Sequence, residues 1–185
     1  MKKILVTNVK GGVGKSQLTL NIASCLAESN SVCIVDSDPQ GTLISFREFI
    51  QIPIVSLEES DKYSVALIDT APYFSKQLPD LMRKSDYILI PVRPNHADIV
   101  ATKTIIENIP NGKKCGIVLT QTQHRVNLSE QMEMLQAYDV PILKQQMTNR
   151  VSYARSLVNG SVFQSTDTKA QNEILSITLE IFASL

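Results

Sequence analysis

The sequence has no net charge: eighteen Lys and Arg balance eighteen Asp and Glu over 185 residues. That balance argues against a histone-like or strongly basic nucleic-acid protein. It leaves room for a local basic patch, because steering depends on where charges sit as well as on their sum. Cysteine chemistry is equally scarce. Cys25, Cys33 and Cys115 are odd in number and show no CxxC spacing, so neither a disulfide framework nor a zinc or iron–sulfur site is indicated. Three small buried thiols in a reducing cytoplasm are expected instead. Long apolar runs are missing too. The tightest cluster, residues 87–92, is far too short to span a bilayer. The apolar residues after Met1-Lys2-Lys3 stop short of Lys10 and Lys15, so no signal peptide is expected. No repeat, low-complexity tract or Pro/Gly-rich linker divides the chain, and domains run to about 100–200 residues, so one domain over 1–185 is expected. A hydrophobic fraction of 43% with 19% charged residues excludes a disordered chain.

What is present is an alternation. Short β-branched runs, expected strands at 3–8, 31–36, 64–69, 86–92 and 114–120, interleave with amphipathic stretches, expected helices at 15–28, 43–50, 75–84, 97–108, 128–138 and 168–183. The strands are almost continuously apolar, as they are when helices cover both faces of a sheet. The pattern predicts an α/β fold with a doubly wound, mostly parallel sheet flanked by helices.

The first strand-to-helix turn reads Val9-Lys10-Gly11-Gly12-Val13-Gly14-Lys15-Ser16. This is the place and composition of a phosphate loop. Glycines let backbone N–H groups converge on phosphate oxygens, and the helix N-terminus adds partial positive charge. Lys15 reaches the β- and γ-phosphates, and the Ser16 hydroxyl is the ligand for Mg²⁺. The usual GxxxxGK[ST] pattern fails at Val9, where its first glycine belongs, and an extra lysine, Lys10, precedes the Gly pair. Two further strands end in acid: Asp36-Ser37-Asp38-Pro39-Gln40-Gly41 and Asp69-Thr70-Ala71-Pro72. A carboxylate there can hold Mg²⁺ or orient an attacking water. Alternatively it caps the next helix or turn.

The loop resembles the KGGxGK[ST] signature of the ParA/MinD family of deviant Walker A ATPases, most closely its small ParA-type partition proteins. The second segment looks like that family's DxDPQG switch, the third like its Walker B DTPP with Ala71 for one proline, and Ile90-Pro91-Val92-Arg93-Pro94 like its IPVxP segment. Weaker similarity at 150–153 and 160–163 extends it over essentially the whole chain. The resemblance implies an ATP hydrolase with ATP and Mg²⁺ as cofactors. Nucleotide contacts fall on Lys10, Gly11, Gly12, Val13, Gly14, Lys15, Ser16 and Gln17, the last standing where the family has a second Thr. Metal contacts fall on Ser16, Asp36 and Asp69, and catalytic roles on Lys10, Lys15 and Asp38, with Asp38 positioning water. Lys10 would reach the partner's phosphates across an ATP-sandwich homodimer; alternatively it binds the phosphate of its own subunit. Absence of an Asn-Lys-x-Asp guanine motif favours ATP over GTP, with Thr120 and Gln121 as candidates for the adenine.

Charge segregates along the chain. From 140 to 166 the charged residues are Lys144, Arg150 and Arg155, and from 108 to 129 they are Lys113, Lys114 and Arg125, with no acid in either stretch. ParA relatives bind DNA without sequence preference through this region in the ATP state, so Lys144, Arg150 and Arg155 are the expected DNA contacts, doubled in a dimer. The expected role is segregation or positioning of plasmid or chromosomal cargo from the cytoplasm, with a ParB-like stimulating partner. A MinD-like membrane switch is the alternative, although residues 172–185 carry only Glu173 and Glu180 as charges and lack a lysine-rich face. A small-molecule ligase or kinase on the same fold is another. Iron–sulfur carriers are disfavoured by the missing CxxC, and tyrosine kinases by the lack of a C-terminal Tyr cluster.

Overall fold

The computed structural model describes residues 1–123 and 126–185. Six strands form an all-parallel sheet in the order β2-β3-β1-β4-β5-β6. They are β1 (Lys2–Val6), β2 (Val32–Ser37), β3 (Val65–Thr70), β4 (Tyr87–Val92), β5 (Lys114–Thr122) and β6 (Met147–Thr148). The described helices are α1 (Lys15–Ala27), α2 (Thr42–Ser45), α3 (Leu78–Lys84), α4 (His96–Ile106), α5 (Ser129–Gln136), α6 (Val151–Asn159) and α7 (Thr168–Ser184).

Side chains that alternate along each strand feed two cores. Ile4, Val6, Val65, Leu67, Leu89 and Val118 pack with residues of α1 and α7 on one face. Leu5, Ile68, Ile88, Ile90, Ile117 and Leu119 pack with residues of α3, α4 and α5 on the other. This is why the strand sequences read as unbroken apolar runs. Helix α7 buries Ala170, Ile174, Ile177 and Ile181 as a core-packed helix. Among the described residues no helix is long and apolar enough to cross a membrane.

Four elements differ from the sequence expectation. The helix expected over 43–50 is α-helical only at Thr42–Ser45; Phe46, Arg47, Phe49 and Ile50 then bond to carbonyls three residues back, so the chain tightens into successive turns. Helix α3 begins at Leu78 rather than at 75, with Pro79 in its first turn. Strand β6 and helix α6 were not expected. β6 has two residues, too few for a period-2 signal, and α6 is a nine-residue amphipathic helix of which only Tyr153 and Ser156 are buried.

Candidate functional site

Strand order reverses at β1, which lies between β3 and β4, and the chain leaves it at its carboxyl end. Open α/β sheets bind ligands at this switch point. The loop that follows is shaped by Gly12 (φ 73°) and Gly14 (φ 88°), both in the left-handed region that favours glycine, with Gly14 at the N-cap of α1. Two residues from the end of β5 brace the loop from outside. Thr120 Oγ1 donates to the Val13 carbonyl at 2.9 Å, and Gln121 Nε2 donates to the Gly12 carbonyl at 2.5 Å. Val13 and Thr120 are fully buried, so the Thr120 hydroxyl, expected near the adenine, stands beneath the loop instead. Gln121 reaches the cleft.

That cleft, about 390 Å³, is lined by Gly11, Gly14, Lys15, Ser16, Asp38 and Gln121 among others. Lys15 is buried, and its Nζ donates to the Lys10 carbonyl at 2.9 Å, folding the side chain back over the loop. Burial lowers the Lys15 pKa, while the charges of Asp69 and Asp38 work to raise it.

At the foot of the loop, Ser16 Oγ donates to Asp69 Oδ2 at 2.5 Å, and Thr19 Oγ1 approaches Oδ1 at 3.5 Å. Register explains the meeting: Asp69 pairs with Val6 on β1 and with Asp36 on β2, at the carboxyl edge of three adjacent strands. Asp69 is fully buried. That burial pushes its pKa up to about 7, with the Asp36 and Asp38 charges adding to the rise and the Ser16 hydrogen bond and Lys15 opposing it. A buried carboxylate held near neutrality beside a hydroxyl and an ammonium is a group that gains from a cation. Both the hydroxyl and the carboxylate are hard oxygen donors. Among the described residues no cluster of three or more His, Cys, Asp or Glu is gathered to hold a metal. Mg²⁺ is typically held by one or two protein groups plus substrate phosphates, and Ser16 and Asp69 would be those two groups.

The other carboxylates are placed differently. Asp36 Oδ2 accepts from the backbone N–H of Leu43 (2.9 Å) and Ile44 (3.1 Å), and Oδ1 from that of Asp38 (3.2 Å). It therefore caps α2 and fixes the switch loop, the alternative role that a strand-end Asp can take. Asp38 lines the cleft, and its Oδ1 accepts from Gln40 N–H at 3.0 Å.

Lys10 has neighbours that the sequence pattern did not single out. Asp98, at the start of α4, is 3% exposed; it takes Arg93 Nε at 2.5 Å and lies 4.0 Å from Lys10 Nζ. Arg93 Nη2 also donates to the Gly11 carbonyl at 3.4 Å. The signal was available in Ile90-Pro91-Val92-Arg93-Pro94, which puts an arginine just past the end of β4. Asn8 completes the back of the loop: its side chain bonds Pro91 O, Thr102 Oγ1 and the Lys10 N–H.

The basic stretches are less free than their sequence suggests. Arg150, an expected DNA contact, is 20% exposed and is held by Glu173 at 3.1 Å and Asp167 at 3.6 Å, so it is a buttress of α7 and not an open cation. Lys113 Nζ donates to the Arg83 and Ser85 carbonyls, and Lys114 Nζ to the Leu185 carbonyl. Lys144 and Arg155 are exposed. Arg125 lies outside the described residues.

A phosphate cradle at a helix N-terminus, with an oxygen pair for a hard cation at its foot, defines the molecule as a P-loop nucleotide-binding protein. Comparison with known proteins narrows the class. Residues 4–163 match the CobQ/CobB/MinD/ParA nucleotide binding domain, and the chain belongs to that family. It is 29% identical over 208 aligned residues to Maintenance of carboxysome distribution protein A of Halothiobacillus neapolitanus, covering 98% of this chain and 96% of the relative. Its fold is shared with apo McdA of Cyanothece (TM-score 0.81, 13% identity, 98% of this chain and 99% of that one). It is shared also with a plasmid partition protein of Borrelia burgdorferi B31 bound to AMPPNP (TM-score 0.76, 18% identity, 98% of each chain).

Proposed function

We propose that the protein is a ParA-type ATPase that uses ATP binding and hydrolysis as a dimerisation switch, binds DNA without sequence preference in the ATP state, and so positions or segregates a cargo. The observation that carries the nucleotide chemistry is the Ser16–Asp69 pair at the foot of a glycine loop whose lysine, Lys15, is buried against it. In this reading the loop amides and Lys15 bind the phosphates, and Ser16 and Asp69 hold Mg²⁺, with Asp36 shaping the switch behind them. Bound Mg²⁺ would offset charge on the phosphates. Asp38, on the cleft wall, orients the attacking water. Lys10 leaves its 4.0 Å approach to Asp98 to meet phosphate charge, on its own subunit or on a partner's.

Positioning is supported by the relatives: one is named for carboxysome distribution and another for plasmid partition. DNA binding rests on Lys144 and Arg155, each exposed and each doubled in a dimer, since affinity for a polyphosphate grows with the number of phosphates contacted. On this reading the protein works in the cytoplasm, on nucleoid DNA while ATP is bound, with a ParB-like partner to stimulate release.

The test uses Asp38→Ala protein at low salt, with mass measurement and gel shift with and without Mg-ATP. A dimer that retards DNA only with ATP is expected. A monomer that ignores DNA, with wild-type protein that turns over ATP rapidly, would point to a small-molecule enzyme instead, and binding to anionic liposomes to a membrane switch.

A further inference from the structure

A second cleft, about 230 Å³, adjoins the phosphate cleft and shares Gln17 and Gln121 with it. Its far wall is Thr148, Asn149, Arg150 and Tyr153, from the end of β6 into α6. This wall has little to hold it in place by itself. β6 is two residues long, and its pairing with β5 is irregular between Thr120 and Thr122.

What holds the wall comes from α7. Glu173 is 10% exposed, and its carboxylate takes five hydrogen bonds, all from wall residues. Oε2 accepts from the Thr148 N–H at 3.0 Å and Tyr153 Oη at 2.8 Å. Oε1 accepts from Thr148 Oγ1 at 2.7 Å and from Arg150 Nε and Nη2 at 3.1 Å each. A buried carboxylate is tolerated only when its lone pairs are matched in this way. The same bonds therefore fix the positions of the groups that donate them.

We propose that Glu173 is the positioning residue of a nucleoside subsite in this second cleft, holding the 148–150 wall against the base of the bound nucleotide. The inference rests on the nucleotide-binding reading above. With the phosphates on the glycine loop and the γ end at Asp38, the nucleoside leaves past Gln17 and Gln121. There the exposed Asn149, between Thr148 and Arg150, carries an amide donor and acceptor suited to a base edge. The C-terminal helix thus sets the grip on the base, and the glycine loop sets the grip on the phosphates.

The experiment compares Mg-ATP with Mg-tripolyphosphate, which has the phosphates and no nucleoside, in calorimetric titrations of wild type and Glu173→Gln. Wild type is expected to bind ATP more tightly than tripolyphosphate. Glu173→Gln should lose about tenfold in ATP affinity, about 1.4 kcal/mol, and keep its tripolyphosphate affinity. Thr148→Val, which removes one bond at the surface end of the network, should shift the same ratio by less, and it carries the test should Glu173→Gln fail to fold. An unchanged ATP-to-tripolyphosphate ratio in the folded variant, whether both affinities hold or both fall together, overturns the proposal. Wild type that binds neither ligand overturns the nucleotide-binding reading itself.

Discussion

Ser16 Oγ and Asp69 Oδ2, fifty-three residues apart in sequence, meet at 2.5 Å because β1 and β3 are paired neighbours that end at the same edge. The hydrogen bond joins the helix that the phosphate loop leads into to the strand that delivers the second carboxylate. Asp69→Asn keeps an acceptor for Ser16 and removes a charge whose burial is unfavourable. The variant should therefore melt no lower than wild type without nucleotide, yet lose the gain in ATP affinity that Mg²⁺ gives. Titration of a fluorescent ATP analogue in Mg²⁺ and in EDTA reads this directly. A variant with the full Mg²⁺ gain would remove Asp69 from the metal site.

Asp38 lines the cleft and its side chain accepts a backbone hydrogen bond from Gln40. Asp38→Ala removes that one exposed acceptor and leaves the glycine loop and its amides in place. ATP should bind with wild-type affinity while phosphate release falls by roughly 10²-fold or more, the usual scale for a group that orients or deprotonates the nucleophile. Single-turnover phosphate release separates the two effects. Unchanged release would assign water positioning to another residue.

Arg150 and Arg155 lie five residues apart and should behave oppositely. Arg150 is enclosed by Glu173 and Asp167, so Arg150→Ala leaves a largely buried carboxylate short of two donors and should cost about 2–3 kcal/mol in urea unfolding. Arg155 is exposed, and Arg155→Ala should stay within about 0.5 kcal/mol of wild type. The same substitution should weaken ATP-dependent DNA binding and lower its salt dependence, by about one counterion for each phosphate that Arg155 neutralises. Equal stability of the two variants would remove Arg150 from the α7 buttress.

These two arginines also mark how far local sequence carries. Both stand in a stretch without acid, and adjacency in sequence makes that stretch look like an open basic patch. The acids that neutralise it, Glu173 and Asp167, arrive from α7 and the turn before it, across distances that no local spacing encodes. The β-α-β frame was legible for the opposite reason. Strands such as Val65–Thr70 are buried on both faces and so are apolar at every early position, a signal confined to the strand itself. The glycine loop and the strand-end acids were legible because their chemistry is contiguous. The bracing by Thr120, Gln121, Arg93 and Asp98 was not, since these residues reach the loop from β5, from the turn after β4 and from α4.

Asp167 ties the chain before α7 to α6 and gives the molecule an acid limit. Its carboxylate accepts from Ser152 Oγ at 2.8 Å and from the Ala170 N–H at 3.1 Å, which makes it the N-cap of α7. Partial burial works to raise its pKa, but these hydrogen bonds and the Arg150 guanidinium outweigh it and hold the pKa below the usual aspartate value. The native state therefore favours the ionised form. The resulting stability is fully present above the unfolded-state pKa of about 3.9 and is lost as pH falls through the lower native value. Asp167→Asn retains a cap acceptor and removes only the charge. It should be less stable than wild type at pH 7, by less than about 1 kcal/mol at so accessible a site. That gap should begin to close as pH drops below about 3.9 and be gone below the lower native value, where folded wild-type Asp167 is protonated too. Urea unfolding at pH 7, 5 and 3.5 follows the gap. A difference that stays constant across the three would mean that the charge on Asp167 adds nothing, and that the cap alone orders the start of α7.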